Sequence, residues 1–171
     1  MRKISREMPE EWALEVFDKA PYITVSMTLP NGMPYAVPLS LVRTDANTFY
    51  FHGATEGQKM DALKQNPNVC LSAVTKCKPV VGPKDDSFTL EFASAIAFGK
   101  AQIIEDYNEK VEAMRAICQR FLPQHMSAFD TAVQRSMPRT AIVKITLTQP
   151  ATGKRKQYDK NGEEMKYGRM E

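Results

Sequence analysis

The sequence predicts a mainly β protein of the α+β class, an antiparallel barrel decorated by helices. Short segments rich in β-branched and aromatic residues recur along the chain. The Pro30-Asn31-Gly32-Met33 turn joins two of them, and Asn-Gly is the strongest short hairpin signal. Few connections have the length and pattern of a crossover between parallel strands. The strands are therefore expected to pair antiparallel.

The first third of the chain predicts one helix and three strands. The helix is expected over 9–20, where an apolar stripe at helical spacing comprises Trp12, Ala13, Val16 and Phe17. The strands are expected over 22–29, 35–43 and 48–52, the third antiparallel to the second. Pro38 has no N–H to donate, so the second strand lies at an edge or is interrupted there. Alternation directs Phe49 and Phe51 to the core and leaves His52 on a surface or ligand face.

The rest of the chain alternates between the two kinds of element. The predicted order is a helix over 56–66, a strand over 69–75, a loop over 76–87, a strand over 88–98 that Gly99 kinks before it continues to 104, helices over 106–121 and 127–137, and a last strand over 140–147. Asp106 and Glu109 form a pattern like a capping box. The tail from Gln149 is polar, and its Lys154-Arg155-Lys156 cluster is either a solvated end or an arm that reaches a partner subunit or a bound phosphate.

Composition excludes several classes of protein. The 171 residues suit one domain, and a net charge of +3 is too small and scattered for a nucleic-acid-binding protein. No apolar segment is long enough to span a bilayer and the N-terminus lacks the apolar core of a signal peptide, so a cytoplasmic protein is expected. Cys70, Cys77 and Cys118 form no C-x-x-C pair, which favours free thiols and predicts no metal site.

The segment from Tyr50 to Lys59 predicts a strand that stops in a small-residue turn and opens a helix. Gly53 and Ala54 allow a ligand to approach the backbone closely. Thr55 is expected to cap a helix that begins at Glu56. The free amides and the dipole at a helix start favour an anion, and Lys59 adds a positive charge. The segment therefore suits a phosphate, although most junctions of this kind bind nothing.

Taken together, these motifs resemble the split-barrel flavoproteins related to pyridoxamine 5'-phosphate oxidase, and more narrowly their nitroimidazole-resistance (Nim-like) branch. The resemblance covers about Met1 to Lys156. It is carried by the segments 34–40 (PYAVPLS), 50–54 (YFHGA) with Gly57 and Lys59, 66–70 (NPNVC), Ser94 with 99–101 (GKA), and 152–154 (TGK). The His-Gly-Ala run followed by Gly and Lys is the most specific of these.

The resemblance implies a six-stranded antiparallel split β-barrel with flanking helices over 1–156, followed by a polar tail over 157–171. It also implies a homodimer with FMN in two equivalent sites at the interface. The residues expected to contact FMN are Val37, Pro38, Leu39 and Ser40 beside the isoalloxazine ring, and His52, Gly53, Ala54, Gly57, Lys59, Ser94 and Lys154, most of them around the phosphate.

The sequence departs from the family pattern in front of Ser94, where relatives often carry a basic residue and this chain has Ala93. One charge that would neutralise the phosphate is therefore missing. The candidates to replace it are Lys59, Lys76, Lys78 and Lys154.

The leading functional hypothesis is an FMN-dependent oxidoreductase that reduces a small aromatic or heteroaromatic substrate, such as a nitro compound, with NAD(P)H as a candidate electron donor. His52 is the one candidate catalytic side chain, as a proton donor or a group that orients the substrate; the alternative is a histidine that shapes the turn. One rival is a non-catalytic protein that binds or senses flavin, or haem through His52 or His125. Another is a true pyridoxamine 5'-phosphate oxidase, which needs a second phosphate site; the candidate arginines, Arg43, Arg120, Arg135 and Arg139, are dispersed in the sequence.

Overall fold

The computed structural model describes residues 2–81 and 88–168. Over these residues the strands are β1 (Glu7–Met8), β2 (Ile23–Thr28), β3 (Pro34–Leu39), β4 (Val42–Arg43), β5 (Thr48–Ala54), β6 (Asn68–Val81), β7 (Phe88–Ile103), β8 (Thr140–Leu147) and β9 (Thr152–Lys156). The α-helices are α1 (Glu10–Lys19), α2 (Gln58–Gln65), α3 (Tyr107–Phe121) and α4 (Phe129–Ser136), and 3₁₀ turns cover Ile4–Arg6, Pro123–Ala128 and Met137–Arg139.

All strand pairs are antiparallel, in the order β3-β2-β6-β7-β8-β5-β4, and β9 pairs with both β7 and β1. This arrangement confirms the predicted class, a mainly β split barrel with flanking helices. The described strands number nine rather than six, and the strand path stays open between β3 and β4.

Two apolar cores lie on opposite faces of β5 and β8. Phe49 and Phe51 belong to the first core, where the ring of Phe49 meets Phe17 of α1 edge to face at 5.5 Å. Tyr50 and Ile142 point the other way, into a second core formed with α3 and α4. The predicted inward direction of Phe49 and Phe51 is therefore confirmed. The helices α3 and α4 cover the outward face of the same two strands.

Local signals predicted several element boundaries correctly. The side chain of Asp106 accepts a hydrogen bond from the Glu109 N–H at 2.8 Å and so caps α3, which ends at Phe121. The Asn-Gly turn closes the hairpin between β2 and β3, with Gly32 at a φ of +83°.

Two predicted elements were wrong in their extent. The strand expected over 35–43 breaks after Leu39, because β3 pairs with β2 whereas β4 pairs with β5. Residues 76–81 continue β6 rather than form a loop. The described partner of this part of β6 is β7 on one side, so no second strand there needs a hydrogen bond from the nitrogen of Pro79, which has no N–H. The rest of the expected loop, 82–87, lies outside the described residues.

The strand over 140–147 is not the last one, because Thr152–Lys156 forms β9 beside β7. The interpretation of this basic cluster as a solvated end is therefore wrong for β9. Lys156 is only 8% exposed, and Gly153 lets the ring of Trp12 pack so closely that an added Cβ would lie 2.7 Å from it. After β9, Glu164 pairs with Arg6 at 2.6 Å and holds the tail against the N-terminal segment.

Candidate functional site

The junction between β5 and α2 forms an open helix start. The helix begins at Gln58, not at Glu56, and Gly57 precedes it with φ +108° and ψ 170°, a conformation essentially restricted to glycine. The expected cap by Thr55 is therefore wrong, since α2 has no side-chain cap. The Gly57 carbonyl accepts the first hydrogen bonds of the helix, from Met60 and Asp61. The amides of Gln58 and Lys59 precede these bonds and remain available to an anion.

Lys59 brings its ammonium group to this junction. The Lys59 Nζ lies 5.1 Å from the centroid of the Phe51 ring, and a Cβ added at Gly53 would come within 2.9 Å of Nζ. Among residues 2–81 and 88–168, no carboxylate pairs with this amine. Burial lowers the pKa of Lys59. The junction therefore holds a half-buried cation that has no carboxylate counter-ion within the described part of the chain.

His52 lies next to Phe51 but on the opposite face of β5. Its register partner is Ile142 of the second core, whereas Phe51 pairs with Val143 of the first. The imidazole is exposed to solvent, yet neighbouring protein displaces enough water to lower its pKa, and the charge of Lys59 lowers that pKa further. Both effects favour a neutral imidazole, which donates one hydrogen bond and accepts another.

The edge strand β3 carries the residues expected beside a flavin ring. The Leu29 N–H donates to the Met33 carbonyl, and this bond sets which pairs along β2 and β3 exchange hydrogen bonds. Val37 and Leu39 fall in the bonded pairs. Pro38 lies between them, opposite Thr24, in a pair that exchanges no hydrogen bonds. Its nitrogen therefore faces the open edge of the sheet, and the pairing of β2 with β3 loses no hydrogen bond. The edge position predicted from Pro38 is confirmed; Ser40 follows the strand and is exposed.

Ser94 and Lys154 form a second group, directly opposite each other on β7 and β9. The Lys154 Nζ lies 5.6 Å from the centroid of the Phe92 ring. Ala93 stands where relatives often carry a basic residue. It lies opposite Lys76 of β6 and Arg155 of β9. Lys76 is already paired with Glu91 at 3.0 Å, so it is engaged within the protein.

The two groups of candidate residues do not meet within one chain. Gly53 pairs with Ala141 of β8. The strand β8 in turn pairs with the C-terminal end of β7, around Ile103. Ser94 is on the same strand, but about 30 Å from Ile103 along β7 at about 3.3 Å per residue. No described contact joins Lys59 to Ser94 or Lys154. A single chain therefore presents two partial sites.

The arginines considered for a second phosphate site are also dispersed. Arg43 pairs with Asp18, and Arg120 donates to the carbonyls of Phe17, Asp18 and Ala20 at the end of α1. These two side chains are therefore committed to structure. Arg135 and Arg139 are exposed and lie beyond α3.

Sequence reasoning missed an exposed apolar surface, the outer face of β6–β7, formed by Val74, Val81, Phe88, Leu90, Ile96 and Phe98. The register places these side chains on one side of the two strands. Phe88 is 85% exposed, whereas Glu91 on the opposite side is only 7% exposed. The alternation of side chains over 88–98 indicates that the strand has two different faces. It does not tell which of the two faces is covered by other parts of the protein.

Comparison with known proteins identifies the family. Residues 9–155 match the model of the pyridoxamine 5'-phosphate oxidase family, so the chain belongs to that family, as its motifs predicted. No curated protein matches the sequence significantly.

Solved structures share the fold. A candidate 5-nitroimidazole antibiotic resistance protein from Bacteroides thetaiotaomicron is 28% identical, with a TM-score of 0.73 over 86% of this chain and 85% of that one. The flavocytochrome Anf3 from Azotobacter vinelandii is 20% identical, with a TM-score of 0.70 over 95% and 78%. An FAD- and haem-binding protein from Mycobacterium smegmatis is 19% identical, with a TM-score of 0.75 over 96% and 83%. At these lower identities the last two show the fold alone.

Over residues 2–81 and 88–168, no helix has the length and apolar character needed to cross a membrane.

Proposed function

We propose that the protein is a homodimeric, FMN-binding oxidoreductase that reduces a small aromatic or heteroaromatic molecule, with a nitro compound as the first candidate. The observation that carries this proposal is Lys59, a half-buried cation with no carboxylate partner in the described chain, beside the uncapped start of α2. A phosphate would satisfy both the ammonium group and the open amides.

The residues of the junction suit the phosphate of a flavin nucleotide. The amides of Gln58 and Lys59 would donate to it, and Gly53 leaves the space that the Lys59 amine now uses. The open edge of β3 around Pro38 would face the flavin ring. A bound flavin supplies hydride and electron transfer; the chain's own residues bind, orient and exclude water.

The proposed homodimer explains why the candidate residues form two groups. A second copy would bring its Ser94 and Lys154 to the phosphate that Lys59 and α2 hold in the first. The outer face of β6–β7 supports this pairing, because extended apolar surfaces on soluble proteins mark interaction sites. The same face carries Ser94 and adjoins Lys154.

His52 is the candidate side chain for the substrate. Its neutral imidazole would donate a hydrogen bond to a polar group of the substrate, or accept one from it, and so orient the substrate against the flavin. The relative from Bacteroides thetaiotaomicron, assigned to nitroimidazole resistance, favours a nitro group as the reducible substituent. Activity as a true pyridoxamine 5'-phosphate oxidase is less favoured, because Arg43 and Arg120 are engaged elsewhere.

The absorption spectrum of the purified protein after incubation with FMN tests the proposal. We expect bound-flavin bands that bleach with NADPH or NADH and return when a nitroimidazole is added. Bleaching only by dithionite would contradict the choice of donor, and no return would contradict nitro reduction. Comparison with FAD tests the choice of FMN. A protein that binds neither flavin, or shows a Soret band after incubation with haem alone, would overturn the proposal.

A further inference from the structure

We propose that the helical layer contains a second, separate binding site, a pocket between α3 and α4 that takes a small uncharged aromatic molecule. The pocket has a volume of about 190 Å³. Its floor is formed by Met114, Phe129 and Val133, which are all nearly fully buried. Its rim is formed by Leu122, which is 49% exposed at the end of α3, and by the 3₁₀ turn that follows.

The lining selects an uncharged ligand. Among the described residues that line the pocket there is no Asp, Glu, Lys or Arg. Burial raises the pKa of the Cys118 thiol, so this side chain stays protonated and neutral near pH 7. His125 at the rim and Ser136 offer the polar atoms for one or two hydrogen bonds. A charged molecule would lose its hydration here without gaining a counter-ion.

Size and side-chain type favour an aromatic ring. An apolar cavity of about 150 Å³ holds benzene, so this pocket has room for a ring system of one or two rings. Met114 and Met126 place flexible, polarizable side chains in the lining, and methionine sulfur makes favourable contacts with aromatic rings. Haem is far larger than this volume, so His125 does not offer a haem site within the pocket.

The pocket is separate from the proposed flavin site. It belongs to the second core, to which Tyr50 and Ile142 of the sheet also contribute, and none of the described residues that line it is a candidate flavin-binding residue. Phe51, which the Lys59 amine covers, belongs to the first core on the other side of β5. Occupancy of the pocket therefore does not require a bound flavin, and its test is independent of the proposed function.

Titration with indole, followed by NMR of protein labelled with ¹³C at the methionine methyl groups, tests this proposal. We expect saturable shifts of the Met114 and Met126 methyl signals, assigned with Met114→Leu and Met126→Leu variants. The signal of Met27 in the first core should stay in place. The titration is repeated with FMN present, and the same shifts are expected.

A matched pair of substitutions on α4 locates the site. Ala132 and Thr131 are neighbouring exposed residues of α4, and of the two only Ala132 lines the pocket. Ala132→Phe should fill the pocket and weaken indole binding at least about tenfold, and Thr131→Phe should change it less than about twofold; circular dichroism confirms that both variants fold. The proposal would be overturned by equal weakening in both variants or by the absence of methyl shifts up to the solubility limit of indole. It would also be overturned by shifts with decanoate, a charged aliphatic molecule, but not with indole.

Discussion

At the scale of single residues, the ammonium group of Lys59, which has no carboxylate partner among the residues the structure describes, distinguishes a phosphate site from an ordinary helix start. Replacement by methionine keeps the packing over Phe51 and removes the charge. We expect Lys59→Met to weaken FMN binding at least about tenfold, because a charge-assisted contact to the phosphate is lost. Fluorescence titration measures this change.

Two controls make the Lys59 prediction specific. Lys64→Met removes an exposed charge from the same helix and should leave the affinity for FMN nearly unchanged. Riboflavin has no phosphate, so its affinity should be the same for the wild type and for Lys59→Met. An unchanged FMN affinity in Lys59→Met would show that the phosphate lies elsewhere.

His52 gives a prediction about pH. Desolvation and the charge of Lys59 both lower its pKa below the ordinary 6.5, so the unfolded chain binds more protons than the folded protein just below that value. The free energy of unfolding should therefore decrease as the pH falls through this window. We expect NMR titration to give a pKa below 6.5 for His52 and a higher value in Lys59→Met; His125→Asn assigns the two histidine signals. A pKa of 6.5 or above in the wild type would contradict the environment described for the imidazole.

At the scale of elements, Gly57 sets the direction in which α2 leaves β5. Its φ of +108° and ψ of 170° lie in a region that side-chain-bearing residues avoid at a cost of about 1–3 kcal/mol. We expect Gly57→Ala to lower the free energy of unfolding by that amount in urea titrations. Gln58→Ala, one residue further on, should change it by less than about 0.5 kcal/mol. Equal effects of the two substitutions would mean that the backbone at Gly57 adapts without strain.

The elements predicted correctly are those whose signals are local. Asp106 lies three residues before Glu109, and Asn31-Gly32 lies between two strands, so each signal acts within a few residues. The strand β9 has a polar sequence and exists because β7 and Trp12 lie beside it, which no local pattern reveals. Gly57 was recognised as a site residue, but its role as the last residue before the helix depends on backbone angles that the sequence does not specify.

At the scale of the whole molecule, the candidate site shows where sequence reasoning stops. The motif from His52 to Lys59 is contiguous, and the structure keeps Gly53, Gly57 and Lys59 around one junction. His52 lies on the other face of the strand, as the alternation predicted, and the charge of Lys59 still acts on its imidazole. Ser94 and Lys154 pair with each other and lie far from the junction along the sheet. Whether they reach it depends on a second chain, and a pattern that alternates between two faces does not distinguish an interface from a core.

The outer face of β6–β7 therefore carries the last prediction, which concerns assembly. Phe98 is 46% exposed on this face, and Leu122 is 49% exposed on the helical side. We expect the wild type to have about twice the chain mass of 19.3 kDa in light scattering. Phe98→Asp should produce monomers, because an unpaired charge would be buried in the apolar interface. It should also weaken FMN binding, because the partner's half of the site is lost. Leu122→Asp should remain dimeric and retain FMN. A monomeric wild type, or dimers of Phe98→Asp with unchanged FMN affinity, would place the interface and the second half of the site elsewhere.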